Sequence, residues 1–151
     1  MTPEFLKVFM EVAEAMAKKS KDGSTKVGAV LVKPSMRIAS VGFNGFPQRI
    51  RDDLDLLTSK DPEKRKKKLK RMVHAEQNAL RFCESPDTNG FHMVVTGHPC
   101  ATCALEIACS GVDHVWYKPN IDLETRWAEE MAEAREIFEE AGIELHRVDF
   151  L

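Results

Sequence analysis

Two short stretches, His74-Ala75-Glu76 and Pro99-Cys100-Ala101-Thr102-Cys103, constrain this chain more than any other. Each opens a segment that reads as a helix, and their chemistry makes sense together only if the fold brings the two openings side by side. One imidazole and two thiolates give a zinc ion three protein ligands and leave its fourth position for water. Two thiolate charges balance the dication, yet a water molecule at that position is still acidified. Glu76 is not needed as a ligand and is free to carry protons. A closed structural zinc site is the alternative, and it would take a fourth ligand from His92, His98, His114 or Cys109. Closed sites usually come as two short paired clusters, whereas here the third ligand is a lone His beside a Glu. The pattern points to an open, water-activating site.

Spacing supports this. Cys100 and Cys103, three apart at a helix start, project from one side of its first turn. The free N–H groups and positive end of that helix favour thiolate there.

The rest of the chain supplies a frame for such a site. Thr2-Pro3-Glu4 is a helix start, with Thr2 as cap and Pro3 at the first helical position. Phe5, Val8, Phe9, Val12 and Met16 then recur at helical spacing as an apolar, core-facing stripe. Val27 to Val32 reads as a buried strand, and Arg37 to Phe43 as its antiparallel partner. The hairpin's far end, Gly42-Phe43-Asn44-Gly45-Phe46-Pro47, is a tight loop in which Asn44 either builds the turn or reaches a ligand. Residues 48–72 hold no clear core element, although Leu54, Leu56 and Leu57 can pin a short helix. A helix from His74 to Cys83, a strand from Phe91 to Thr96 and a helix from Cys100 to Ser110 follow. Then come a strand from Val112 to Tyr117, one long helix from Leu123 to Ala141 with Trp127, Met131, Ala134 and Phe138 on one side, and a last strand from Ile143 to Val148. A hairpin followed by βα repeats predicts an α/β protein with a mixed five-stranded sheet and helices on both faces.

Length and charge narrow the class. At 151 residues the chain suits a single domain, 1–151, with a real core. No apolar run approaches the roughly 20 residues of a membrane span, and the N-terminus lacks a signal-peptide layout, so a cytosolic protein is expected. Cys83 and Cys109 are left over from the metal motif and read as small apolar packing residues. Net charge is −2, but Lys60 to Arg71 carries +6, leaving −8 for the rest. Such a run is either a solvated face or a source of positive field for an anionic substrate. The acidic balance elsewhere argues against a polynucleotide partner.

The chain resembles the cytidine deaminase superfamily, and within it the deoxycytidylate (dCMP) deaminases. The resemblance runs over nearly the whole length: Ser20-Lys21-Asp22, Thr25 to Val30, the Gly42 to Pro47 loop, Val73 to Ala79, Pro99 to Ala104 and Ala141-Gly142-Ile143. Free-nucleoside deaminases typically place a Glu two residues after the loop Asn, where this chain has Phe46; tRNA adenosine deaminases usually approach the His-Ala-Glu through polar residues, where it has Met72-Val73. The resemblance implies the three-layer α/β/α cytidine deaminase-like fold and one zinc per chain, held by His74, Cys100 and Cys103. It makes Glu76 the proton shuttle, Asn44 a sugar contact and the Ala75 backbone a contact to the base. It implies hydrolysis of dCMP to dUMP and ammonia, feeding thymidylate synthesis, and a homo-oligomer, often a hexamer. For the phosphate, Lys26, Arg49 and the 64–71 run are the cationic candidates, with Lys118 behind them. Many members have a Gly where this chain has Arg49, in a region that regulated members use to bind a deoxynucleoside triphosphate. That departure sets control by dCTP and dTTP apart from the rest of the expectation.

Overall fold

The computed structural model describes residues 1–149. Its elements are α1 (Pro3–Ala17), β1 (Gly28–Val32), β2 (Ile38–Phe43), α2 (Leu54–Thr58), α3 (Pro62–Arg71) and α4 (Ala75–Arg81), then β3 (His92–Val95), α5 (Ala101–Ser110), β4 (His114–Tyr117), α6 (Ile121–Arg126), α7 (Ala128–Ala141) and β5 (Glu144–Arg147). The sheet has five strands in the order β2-β1-β3-β4-β5. β1 is antiparallel to both β2 and β3, while β3, β4 and β5 run parallel. This is the mixed sheet that a hairpin followed by βα repeats dictates.

β1 is buried on both faces, so its alternation sorts two cores. Ala29 and Leu31 join Met93, Val95 and Val115 beneath α4, α5 and α7, while Val30, Val32 and Val94 lie beneath α1. Among the described residues the α1 backbone lies over β1, β2 and β3 and not over β4 or β5. That leaves one corner of its face of the sheet open.

The face that α1 buries differs from the expected stripe. Leu6, Phe9, Met10 and Ala13 are buried, whereas Phe5 and Val8 are exposed. The cause is close approach: a Cβ on Gly28 would stand 1.8 Å from the carbonyl oxygen of Ala13. Only small residues permit that contact, and it turns Ala13 toward the strand. The apolar run is wide enough to admit either face, and the Gly28–Ala13 contact selects one.

The 48–72 region is more structured than its composition suggests. Asp53 caps α2 by accepting from the Leu56 N–H at 3.2 Å, and Leu56 and Leu57 are buried. The basic run is itself a helix, α3, capped by Asp61 with Pro62 and Glu63 in its first turn. Asp61-Pro62-Glu63 is the same cap–proline–acid signal as Thr2-Pro3-Glu4, and it could have been read as one. The long helix after β4 is two helices, broken at Trp127, whose φ of −117° and ψ of 32° leave the helical region. Cys109 is exposed and Cys83 half-buried, so only Cys83 packs against the core.

A second close approach fixes the position of α4. A Cβ on Gly42 would lie 2.4 Å from the Ala75 oxygen and 2.6 Å from the Ala79 nitrogen. β2 therefore touches the backbone of α4 directly, and the Asn78 amide donates to the Phe43 carbonyl at 2.8 Å beside it. Gly42→Ala forces these elements apart. It is expected to lower stability by about 1–3 kcal/mol, the usual cost of overpacking, measured by urea unfolding of zinc-loaded protein.

Candidate active site

The first turns of α4 and α5 meet above one end of the sheet. His74 is the N-cap of α4 and Cys100 the N-cap of α5, so both stand at the helix openings, and Cys103 follows within the first turn of α5. The approach to His74 is pinned by a two-bond bridge: Gly45 N–H to Val73 O at 3.0 Å and Val73 N–H to Gly45 O at 2.8 Å. Gln77 accepts from the His74 N–H at 2.7 Å, which sets the angle at which the helix begins.

His74 Nδ1 lies 3.2 Å from Cys103 Sγ and 3.5 Å from Cys100 Sγ. Tetrahedral zinc with ordinary Zn–N and Zn–S bonds separates such donors by about 3.6 Å. The three donor atoms fall within 4.8 Å of one another, so the set fits zinc. The chemistry of the triad agrees. A hydrogen bond from Cys103, helped by His74, holds the Cys100 thiol near 4, and the hydrogen bond to Cys100 draws the imidazole of His74 up to about 9. The hydrogen bond to Cys100 raises Cys103 in turn, and burial adds to it. These protons are shared among three ligand atoms and are what a bound cation displaces.

The alternative fourth ligands are not part of this cluster. His92 and His114 stack on one another on the α1 face, Cys109 is exposed, and Nδ1 of His98 contacts the Pro99 carbonyl at 2.7 Å. Among the described residues the cluster at this site holds three candidate ligands, the count of an open site.

Glu76 sits in the first turn of α4 and is 5% exposed. Burial pushes its carboxyl above the usual carboxylate range, and the neighbouring His74 partly opposes this. A buried carboxyl with a raised proton affinity suits proton transfer.

A pocket of about 380 Å³ opens over this group, with His74, Ala75, Glu76 and Cys100 among its lining residues. Its size suits a small ligand. Asn44 lines it and is buried, and its amide also builds the loop: Oδ1 accepts from the Val27 N–H at 2.8 Å and Nδ2 donates to the Thr25 carbonyl at 2.9 Å. One Nδ2 hydrogen is left over, so the two readings of Asn44 are compatible. Ala75 is fully buried, and its N–H belongs to the first helical turn, where no intrahelical acceptor exists.

Of the cationic candidates, the pocket takes two from the 64–71 run and none of the others. Lys26 and Arg49 are exposed and stand outside its lining, and Lys118 pairs with Glu14 at 2.6 Å. Arg65 and Lys68 of α3 and Arg126 of α6 line it instead. Lys68 is 1% exposed and donates to Asp22 at 3.0 Å and Ser24 at 3.2 Å, which clamps α3 against the loop after α1. Arg65 donates to the same serine at 3.3 Å. His98, Trp127 and Met131 complete walls that no motif announced. A helical register for Lys60 to Arg71 would have placed Arg65 and Lys68 on one face, three apart.

A mixed five-stranded α/β sheet carrying an open His-Cys-Cys zinc site beside a buried glutamate defines a zinc-dependent deaminase, a hydrolase. Residues 3–118 match the family of the cytidine and deoxycytidylate deaminase zinc-binding region, and the chain belongs to that family. It is 37% identical, over 96% of its length and 94% of the relative's, to a protein of Aliivibrio fischeri described as an uncharacterized deaminase in the luxG 3' region. It is 34% identical to the deoxycytidylate deaminase of Mus musculus, over 93% of this chain and 77% of that one. The dCMP deaminase of cyanophage S-TIM5, solved in complex with dCMP and dUMP, superposes with a TM-score of 0.75 at 25% identity, covering 98% of this chain and 99% of that one. No helix among the described residues is long and apolar enough to cross a membrane.

Removing one of three zinc ligands should cost more than the ~10–100-fold in metal affinity typical of residues that merely support ligands. Cys100→Ala and Cys103→Ala are each expected to lose this site's zinc on dialysis and to hold about one zinc per chain fewer than wild type, measured by atomic emission.

Proposed function

We propose that this protein hydrolyses dCMP to dUMP and ammonia, supplying dUMP for thymidylate synthesis. The observation that carries the reading is the pairing of the zinc–glutamate floor with the Arg65 and Arg126 guanidiniums on the walls of the same pocket. A cytosine ring needs the first and a phosphate monoester the second. The similarity to enzymes named deoxycytidylate deaminases over most of the chain, and the Phe46 that stands where nucleoside deaminases carry a Glu, support the same substrate.

In this reading the bound zinc supplies Lewis acidity that makes water a nucleophile at neutral pH. Glu76 takes a proton from that water and gives it to the ring nitrogen of the base. It then carries the next proton to the amine, the C–N bond breaks, and ammonia leaves while the water oxygen becomes the new carbonyl. The first-turn N–H of Ala75 holds the base carbonyl, and the spare Nδ2 hydrogen of Asn44 meets the sugar. Pocket walls from α6 and α7, with Leu123, Trp127 and Met131, exclude bulk water from the ring. Arg65 and Arg126 bind the phosphate. Lys68 adds little field of its own because Asp22 neutralises it. A homo-oligomer completes the proposal, as the family resemblance implies.

Three experiments test this. Glu76→Gln should retain its zinc and lose turnover by at least the ~10²–10⁴-fold that general acid–base catalysis contributes; a variant that keeps its activity removes Glu76 from the chemistry. Ammonia release should then be compared over dCMP, deoxycytidine, cytidine, dCTP and adenine-containing substrates, with dCMP expected to show the highest kcat/KM. Arg65→Ala and Arg126→Ala should raise KM for dCMP about tenfold or more and leave deoxycytidine nearly unchanged, each lost charged hydrogen bond being worth ~1.5–3 kcal/mol. If Lys26→Ala or Arg49→Ala has that selective effect instead, the phosphate is read from outside the pocket walls.

A further inference from the structure

The open corner of the sheet that α1 leaves uncovered carries a second set of metal-ligating side chains. His114 on β4 and Glu144 and His146 on β5 project from the same face of two neighbouring parallel strands, with His114 in register with Glu144 and Trp116 with His146. Their donor atoms form a nearly equilateral triangle. His114 Nδ1 to His146 Nε2 is 3.3 Å, His114 Nδ1 to Glu144 Oε2 is 3.4 Å, and His146 Nε2 to Glu144 Oε2 is 3.3 Å. Ligands bound at about 2.0–2.2 Å to a tetrahedral ion stand ~3.3–3.6 Å apart, so one ion seated just off the plane of this triangle meets all three at normal bond lengths.

The two imidazoles are also held in place from outside. The ring of Trp116 stacks on His146 at 3.8 Å, and His92 stacks on His114 at 4.6 Å. Trp116 Nε1 donates to His92 Nδ1 at 3.1 Å, which joins the two supporting rings to each other. Side chains fixed by neighbours on rigid strands are what a metal site requires of its scaffold. The site faces solvent enough for an ion to enter: the side chains of His114 and His146 are about 30% exposed and that of Glu144 is 65% exposed.

We infer that His114, Glu144 and His146 form a second metal site, independent of the zinc centre, that takes a divalent first-row transition ion such as zinc or nickel and ties the edge strand β5 to β4. Two imidazoles and one carboxylate select this class of ion over calcium or magnesium, which prefer all-oxygen shells. The three ligands leave the outward positions to water. The role is structural, because among the described residues β5 has no neighbour on its other side and an ion bound only in the folded state raises stability by mass action.

Protein carrying zinc only at the His74-Cys100-Cys103 centre, checked by its zinc content, should be dialysed against micromolar NiCl2 and its metals counted. Wild type is expected to keep its zinc and gain one nickel per chain, with a higher unfolding temperature. Paramagnetic nickel should broaden the ring proton signals of His114 and His146 before any others. Glu144→Gln, an exposed and conservative change that leaves the fold intact, and His146→Ala should each weaken nickel binding more than about tenfold without loss of zinc. No nickel taken up, nickel taken up only in exchange for zinc, or equal binding by both variants would each overturn the site.

Discussion

The contact on which the rest depends is the one between Gly42 and the backbone of α4. With no Cβ in the way, β2 lies against the first turn of α4, and His74 and Glu76 are delivered to the end of the sheet where α5 begins. α5 arrives by a different constraint, the short Gly97-His98-Pro99 turn after β3, which puts Cys100 at its N-cap. Free N–H groups at that opening stabilise a thiolate, and three ligands from two helices then close on one point. The gap between the two helix openings, lined by His74, Glu76 and Cys100, opens into the pocket.

The basic segment shows how a buried ion pair can serve position as much as stability. Lys68 and Asp22 are both almost wholly enclosed, and a pair of that kind gains little over an apolar contact of the same size. Removing one partner, however, strands a charge at a typical cost of ~3–5 kcal/mol. That asymmetry makes the register of α3 hard to slip. The register in turn sets Arg65 beside the pocket, while Lys64 pairs outward with Asp55 at 2.6 Å.

Several elements were legible because they are local. The cap at Thr2, the left-handed glycines 111 and 142 that end α5 and α7, the β1–β2 hairpin and each of the two zinc-ligand motifs follow from residues within a few positions of one another. What was not legible involves contacts across the chain. The buried face of α1 depends on Gly28 meeting Ala13, and the break at Trp127 does not disturb the apolar spacing on either side of it. The identity of the cations lining the pocket depends on which face of α3 a single buried lysine turns inward. Arg49 and Lys26 sit close in sequence to Asn44 and Val27, but the loops that hold them turn their side chains to solvent.

By itself, then, the sequence determined the zinc ligands, the glutamate beside them, the class of chemistry and the mixed α/β sheet. Each rests on residue type and short-range spacing, which chemistry reads directly. The tertiary structure alone decided which cations meet the substrate pocket, which side of α1 is core, and that His114, Glu144 and His146 share one corner. Those outcomes come from residues about 15 to 50 positions apart meeting through strand register and close backbone approach, and no local pattern encodes such a meeting.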